Sequence, residues 1–256
     1  MSEWNAAQYL KYRKERTQPA IDLARRIEMQ SPQRIMDIGC GPGNSTAVLK
    51  ERFPDAYILG IDSSQDMIDR ARKEQPGLDF MLCDVSRDLD SFTESFDVIF
   101  SNACLQWIPD HPAVLKNLMG LLKENGILAV QIPMNFDEPI HQIIREIVKS
   151  QRWADKLFDL RTFYTLTPEC YFDLLSELSS DFTMWRTVYY HRMGSHEGIM
   201  DWYRGTGLRP YLSALEEKDR AVFEGEVYHE VVKRYPVQKN GEIIFPFPRL
   251  FFMAVK

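Results

Sequence analysis

Between residues 34 and 132 short apolar runs recur at regular intervals, each bounded by glycine, proline or acidic residues. The stretches between them carry apolar residues three and four apart. Such runs read as buried strands and such stretches as amphipathic helices. The pattern predicts strands at 34–38, 56–61, 78–82, 96–100 and 126–132. Helices are expected at 19–29 with Pro19 in the first turn, at 44–53 capped by Asn44, at 64–74 started by Ser64, and at 110–123 opened by Asp110 and Pro112. Strict alternation of strand and helix implies right-handed crossovers and a parallel sheet covered on both faces.

Beyond Pro133 the rhythm changes. A helical stretch at 138–150 precedes an aromatic segment at 153–171, a strand-like run at 182–191 and helices at 195–203 and 219–235. Two apolar runs, 242–247 and 250–255, are separated by Pro248 and Arg249 and suit a hairpin on the sheet edge. No repeat and no Gly/Ser- or Pro-rich linker divides the chain, so a second lobe must be inserted into the first domain. The expectation is one domain over 1–256, with a core of about 16–136, 171–191 and 241–256 and a helical cap of about 137–170 and 192–240.

Composition narrows the function. With 45% hydrophobic and 27% charged residues over 256 positions the chain can bury a sizeable core, which excludes intrinsic disorder. A net charge of -6 gives no general positive field for a nucleic acid backbone. Met1 to Asn5 lack a basic segment followed by an apolar run, and no stretch approaches the roughly 20 apolar residues that span a bilayer. A cytoplasmic protein without membrane or nucleic-acid partners is expected. Cys40, Cys83, Cys104 and Cys170 stand singly, without the spacing of a disulfide framework or a zinc site, so no metal is expected.

In open parallel sheets ligands bind beyond the C-terminal strand ends, which makes the residues after each strand the informative ones. The first strand runs into Asp37-Ile38-Gly39-Cys40-Gly41-Pro42-Gly43-Asn44, a loop whose glycines let the backbone turn and approach a ligand. Its G-x-G-x-G spacing departs from the nicotinamide fingerprint and has no Lys-Ser/Thr pair for a nucleoside triphosphate. Cys40 reads as a small loop filler, since no histidine is near in sequence to activate it. The second strand ends in Asp62-Ser63-Ser64, where a carboxylate can accept from both hydroxyls of a ribose. At the third strand end Asp84 can accept from the exocyclic amino group of adenine. The fourth gives Ser101-Asn102-Ala103-Cys104-Leu105-Gln106-Trp107, small, polar and aromatic groups where a reacting atom would lie.

These residues resemble the class I S-adenosylmethionine-dependent methyltransferases, through Asp-x-Gly-x-Gly-x-Gly, the acidic end of the second strand, Asp84 and the Asn102 segment. The match covers about residues 31–136. The resemblance extends to the branch of that family that esterifies a carboxylate of a small tricarboxylic acid. It is carried by Ser2-Glu3-Trp4-Asn5, Tyr9-Leu10, Glu15-Arg16-Thr17 with Pro19-Ala20, and the run from Leu105 to His111. Further matches are Trp185 to His191, Thr206 to Pro210, and Phe247 to Phe251. Residues 151–167 carry the least of it. What it implies is a three-layer Rossmann-like fold, mostly parallel with an antiparallel C-terminal strand and an inserted helical cap. S-adenosylmethionine would be the cofactor and S-adenosylhomocysteine the product, with trans-aconitate or a relative as the acceptor.

Cofactor-binding candidates are Arg16, Asp37, Gly39, Gly41, Gly43, Asn44, Asp62, Ser63, Asp84 and Asn102. Asp37 is expected to hold loop amides, close to the cofactor's amino end in the family. Arg16 is the candidate cation for the methionine carboxylate, and reads otherwise as a surface ion pair with Glu15 or Asp22. Gln106 and Trp107 are candidates for positioning the transferred methyl, with core packing as the alternative for Trp107. For a polyanionic substrate the later basic residues matter: Arg186, Arg192, Arg204, Arg209, Arg249, His191 and His196 lie among Trp185, Tyr189, Tyr190, Trp202 and Tyr203. Arg209, Arg249, Tyr189, His191 and Trp202 are the substrate candidates. Period-two alternation puts Tyr189 and His191 on one face of their strand and Arg186 and Tyr190 on the other. No acid–base residue is required, because a carboxylate with a reference pKa near 4 is already anionic at neutral pH. Rivals are a methyltransferase for another small or carrier-bound acid or for a C or N nucleophile, a non-catalytic nucleotide-binding module, and a nicotinamide oxidoreductase.

Overall fold

The computed structural model describes residues 13–157, 160 and 163–256. The segments Ser2–Asn5 and Tyr9–Leu10 that carry part of the resemblance lie outside the described residues. The helices are α1 (Arg13–Arg25), α2 (Asn44–Arg52), α3 (Gln65–Glu74), α4 (His111–Leu121), α5 (Pro139–Val148), α6 (Ala154–Leu157), α7 (Pro168–Leu178), α8 (His196–Arg204), α9 (Arg209–Ala214) and α10 (Glu217–Arg234). The strands are β1 (Arg34–Ile38), β2 (Tyr57–Asp62), β3 (Asp79–Leu82), β4 (Phe96–Asn102), β5 (Leu122–Pro133), β6 (Asp181–Met193) and β7 (Ile243–Val255). Single 3-10 turns occur at Leu89–Ser91 and Leu105–Trp107.

The 7-stranded sheet has the order β3-β2-β1-β4-β5-β7-β6. β1 pairs in parallel with β2 and β4, β2 with β3, and β4 with β5. The chain therefore works outward from β1 and returns beside it with β4, creating the switch point where open α/β sheets bind ligands. Ile35, Ile38, Val98, Ile99, Phe100, Leu128 and Val130 are fully buried, as strands covered on both faces require. β7 runs against β5: the Met134 amide donates to the Pro248 carbonyl, while the Lys256 amide donates to that of Gly126.

The chain forms two compact units, one of residues 13–133, 163–187 and 250–256, the other of the described residues of 134–162 and 188–249. The second unit has its own core. Ile140, Ile143 and Ile144 recur on α5 at helical spacing, as do Phe223, Val227 and Val231 on α10, and with Trp153, Ile199, Met200, Phe245 and Phe247 they form one buried cluster. The Trp153 ring meets Phe223 edge-on at 5.3 Å, and its indole N–H donates to Glu226 at 2.6 Å. The Tyr235 hydroxyl accepts from the Ile140 amide at 3.1 Å, satisfying one of the unpaired donors at the start of α5.

Three expectations change. Pro19 lies inside α1 rather than opening a helix at 19–29. Burial of Ala20, Leu23, Ala24 and Ile27 outweighs the one helical hydrogen bond that proline removes. The helix ends early because the amides of Arg26 and Ile27 turn back to Leu23 and Ala24, the tighter i−3 pattern. Asn44 does not cap α2; Gly43, left-handed at φ +88, holds that position without a side-chain cap. The C-terminal runs form no edge hairpin but one strand of 13 residues, between β5 and β6. Pro248 costs no ladder bond, since in the register that pairs it with Met134 its missing N–H points to the side where β5 has ended at Pro133.

α6, α7 and α9 add helices that the sequence pattern did not predict. Thr167 caps α7 by accepting from the Cys170 amide at 3.3 Å. Among the described residues no helix is long and apolar enough to cross a membrane. The described residues also hold no group of three or more His, Cys, Asp or Glu suited to a metal ion.

Asp97 joins three strand starts. One of its oxygens accepts from the amides of Gln33 and Arg34 at 2.9 and 2.8 Å, and the Lys123 ammonium reaches both oxygens at 2.9 Å. Burial pushes its pKa up, but Lys123 and the two amides outweigh that and hold it below the ordinary value. A carboxylate lowered on folding stabilises fully above its unfolded pKa, and that contribution is lost as the pH falls through the lower folded value. Asp97→Ala is expected to cost about 2 kcal/mol at pH 7. Urea denaturation checks this, the difference from the parent protein closing as the pH falls below the ordinary carboxylate value of 3.8.

Candidate functional site

The ends of β1 to β4 converge in the sheet unit. Gly39, Gly41 and Gly43 all have positive φ, +67, +53 and +88. At Gly39 the space is closed as well, because a Cβ there would lie 2.3 Å from the Cys104 Sγ. The amides of Gly39 and Cys40 donate to the Ile61 carbonyl, and the Gly41 amide donates to Asp62 Oδ2 at 3.0 Å. Asp62 Oδ1 accepts from the Ser64 amide at 2.9 Å, while Ser64 caps α3 by accepting from Met67. Asp62 thus ties the glycine loop to the end of β2 before any ligand is considered. Burial raises its pKa against the amides of Ser64, Gly41 and Ser63. Ser63 beside it is exposed.

Asp37 has no exposed surface. Instead of loop amides, its Oδ2 accepts from the hydroxyls of Ser45 and Thr46, both at 2.7 Å, because the first turn of α2 presents those side chains to β1. Its Oδ1 is buried with no hydrogen-bond partner. Burial, opposed by those hydroxyls and aided by Asp62, pushes its pKa up to about 7. Asn44 Oδ1 and Asn102 Oδ1 are also buried without a partner. Thiol ionisation at Cys40 and Cys104 is suppressed by burial and the nearby aspartates, which suits Cys40 as loop filler.

At the end of β3, Asp84 accepts from the Ser86 amide and hydroxyl at 3.0 and 2.6 Å and pairs with Arg87 at 2.8 Å. Against the upward push of burial, these partners hold it below the ordinary carboxylate range. After β4, Ala103 takes φ +55, a strained value for a residue with a Cβ. Gln106 is 5% exposed, and its Nε2 donates to the Ala103 carbonyl at 2.7 Å, which leaves Oε1 as a buried acceptor without a partner. Trp107 packs on Phe163 with ring centroids 4.9 Å apart. Arg16, on α1, which packs against α2, is only 9% exposed. On the same helix the Asp22 carboxylate accepts from Gln18 at 2.8 Å.

One carboxylate oxygen, of Asp37, and three amide oxygens, of Asn44, Asn102 and Gln106, are thus unused acceptors at or just after the ends of β1 and β4. They suit a ligand that brings donors and positive charge.

On β6, Tyr189 and His191 are the more buried, whereas Arg186, Tyr190 and Arg192 are exposed. His191 stacks on Trp202 at 4.9 Å, with Phe247 at 5.9 Å. Arg249 is 3% exposed, its guanidinium over the rings of Phe247 at 4.5 Å and Tyr189 at 5.8 Å. Four of the five substrate candidates therefore share one cluster. The fifth, Arg209, begins α9, and burial lowers its pKa. Arg204 is committed to Glu197, Asp201 and Glu224, Arg192 to Glu242, and His196 to the Tyr235 carbonyl.

Asn135 and His141 gave no signal in the sequence. Asn135 Nδ2 donates to the buried Tyr203 hydroxyl at 2.9 Å, and the His141 ring meets Tyr203 edge-on at 5.4 Å. Burial and the Arg145 charge push the His141 pKa down to about 4.

A family described as a methyltransferase domain matches residues 35–126. Over its length the chain is similar to the trans-aconitate 2-methyltransferase of Enterobacter sp. (strain 638), at 44% identity over 255 residues, 99% of this chain and 98% of the relative. It is 42% identical to that of Escherichia coli (strain K12 / DH10B) over 254 residues, with the same coverage. Among solved structures, the YcgJ protein from Bacillus subtilis superposes with a TM-score of 0.60 at 15% identity, covering 93% of this chain and 98% of that one. The plantazolicin methyltransferase BamL, in complex with a triazolic desmethylPZN analog and SAH, gives 0.53 at 18% identity, covering 98% and 90%. These two share the fold. At 44% identity across 99% of its length, this chain belongs to the trans-aconitate 2-methyltransferase family of S-adenosylmethionine-dependent methyltransferases.

Proposed function

We propose that the protein esterifies one carboxylate of trans-aconitate, or of a close tricarboxylic relative, and releases S-adenosylhomocysteine. The observation that carries this reading is the full-length similarity to enzymes of that name. A buried arginine among aromatic rings, Arg249, supports it. When bound, S-adenosylmethionine supplies a methyl group already activated by a sulfonium, which a carboxylate oxygen takes by displacement with no proton moved.

The buried acceptors fit such a cofactor. Asp37, Asn44 and Asn102 would face its cationic end, and Arg16 its carboxylate. A carboxylate has about four acceptor sites, so Asp62 retains capacity for two ribose hydroxyls beside its amides, with Ser63 adjacent. By the same count Asp84 has room for the adenine amino group. Gly39, Gly41 and Gly43 would let the backbone approach, and Gln106 and Trp107 would border the methyl. Arg249, Arg209, Tyr189, His191 and Trp202 would hold the carboxylates that do not react, each charge-assisted bond contributing about 1.5–3 kcal/mol. No residue acts as base; orientation and exclusion of water supply the acceleration. The reading keeps one methyltransferase domain with a core of about 16–136, 171–191 and 241–256 and a cap of about 137–170 and 192–240. It places the enzyme in the cytoplasm, with small molecules rather than nucleic acid as partners.

Incubation with labelled S-adenosylmethionine and a panel of small di- and tricarboxylates is expected to put label into a base-labile ester of trans-aconitate. Label stable to mild base, or none transferred to any acid, overturns the reading. Folded Arg249→Gln and Arg209→Gln are each expected to raise KM for the tricarboxylate at least about tenfold. Cofactor affinity, followed by calorimetry, should stay within about twofold, because neither residue belongs to the nucleotide site.

Asp37, with a pKa of about 7, is half protonated near neutrality, and a cationic ligand favours its ionised form. Cofactor affinity is therefore expected to fall about tenfold from pH 8 to pH 6. Asp37→Asn, which still accepts from Ser45 and Thr46, should lack this dependence. Calorimetry across that range checks both proteins.

A further inference from the structure

The turn that carries Gln106 and Trp107 is fixed from below by a buried chain of side chains. Leu105 and Tyr171 have no exposed surface and His111 almost none. His111 Nε2 lies 2.8 Å from the Leu105 carbonyl, and its Nδ1 lies 2.6 Å from the Tyr171 hydroxyl. A carbonyl only accepts, so Nε2 carries the proton and Nδ1 is the acceptor. The Tyr171 hydroxyl must then donate to the ring, and its oxygen accepts from the Leu166 amide at 3.4 Å. Every group donates once in one direction: Leu166 to Tyr171, Tyr171 to His111, His111 to Leu105. Burial holds the His111 pKa below its ordinary value, against the carbonyls of Leu105 and Ile108 and the charge of Asp110. The ring is thus neutral at neutral pH, as this direction demands.

The same chain reaches the segment before α7. The Tyr164 amide donates to the Gln106 carbonyl at 2.9 Å, and Phe163 supplies the ring against Trp107. Leu166, two residues on, is tied to Tyr171. The turn is therefore gripped at the Leu105 carbonyl through His111 and at the Gln106 carbonyl through Tyr164, and Tyr171 bonds both His111 and Leu166, two residues beyond Tyr164. The hydroxyl of Thr165 is buried there without a partner, as is Gln106 Oε1.

We propose that Tyr171 and His111 are positioning residues for methyl transfer, setting the Leu105–Trp107 turn and through it the Gln106 side chain. This rests on the reading that Gln106 borders the reacting methyl. The relay touches neither the glycine loop nor the ends of β2 and β3, so its loss acts on kcat and spares cofactor binding.

The test is a double-substitution cycle on the full-length enzyme, with trans-aconitate and S-adenosylmethionine. Tyr171→Phe is expected to lower kcat about tenfold while both KM values stay within about twofold. His111→Gln, whose amide can donate to Leu105 and accept from Tyr171, should keep kcat within about threefold of the parent, whereas His111→Leu should match Tyr171→Phe. In a Gln106→Leu background, Tyr171→Phe should lower kcat no further, since both act through one side chain. Multiplying losses in the double variant overturn the relay while leaving the role of Gln106 standing. An unchanged kcat in Gln106→Leu overturns the reading of Gln106, and the proposal with it. A Tyr171→Phe enzyme with lower Tm but unchanged kcat shows a merely structural role and overturns the proposal. If Tyr171→Phe does not fold, the His111→Gln and His111→Leu pair makes the same comparison.

Discussion

Asp37 is a carboxylate with no solvent, held by two hydroxyls and left with one oxygen unanswered. Burying such a group is costly unless a positive charge or a donor completes its surroundings. The cost is accepted at the end of β1, the strand beside which the chain reverses direction across the sheet. Asp62 repeats the arrangement one strand over, spending part of its accepting capacity on the loop itself. The left-handed glycines follow from this, since the loop must bend tightly enough to bring its amides to Asp62 and still leave room at Cys104. The ends of β1 and β2 thus hold acceptor capacity that the protein's own donors leave unused.

The second unit works with the opposite sign. Its aromatic cluster carries Arg249 on the faces of Phe247 and Tyr189, an environment where a guanidinium is attracted by the ring quadrupoles while poorly hydrated. Arg204 and Arg192, by comparison, are held in ion pairs with carboxylates of the same unit. Local structure thereby buries a guanidinium among aromatic rings in a chain whose total charge is -6.

The parallel sheet was legible because strand and helix alternate with local signals at each junction: Ser64 and Asp110 cap where the sequence places them. The strand-end residues were legible for the same reason, since topology assigns them to one crevice whatever the details of packing. Pro248 misled because proline is read as a strand breaker, and only the position of its neighbour's end shows that no bond is lost. Asn44 misled because the helix begins one residue earlier than its capping chemistry suggests, with the left-handed Gly43 at the cap position and Asn44 already in the first turn. Arg249 and Arg204 look alike in sequence; their difference lies in partners on α8 and α10 and on β6, which no local pattern encodes. His141, Asn135 and the His111–Tyr171 relay were invisible because hydrogen bonds between residues some 60 positions apart leave no period behind.

β6 and β7 are single strands of 13 residues, and the division between the units falls inside both, after Thr187 and after Arg249. A domain joined by a loop can be cut out, transplanted or replaced, and gene fusion does this readily. Here each cut would sever a hydrogen-bonded ladder and leave bare strand ends prone to pair with other chains. Recombination that exchanges whole modules is closed to this architecture. A new acceptor has to be reached by substituting residues in place, one side chain at a time, with the scaffold unbroken.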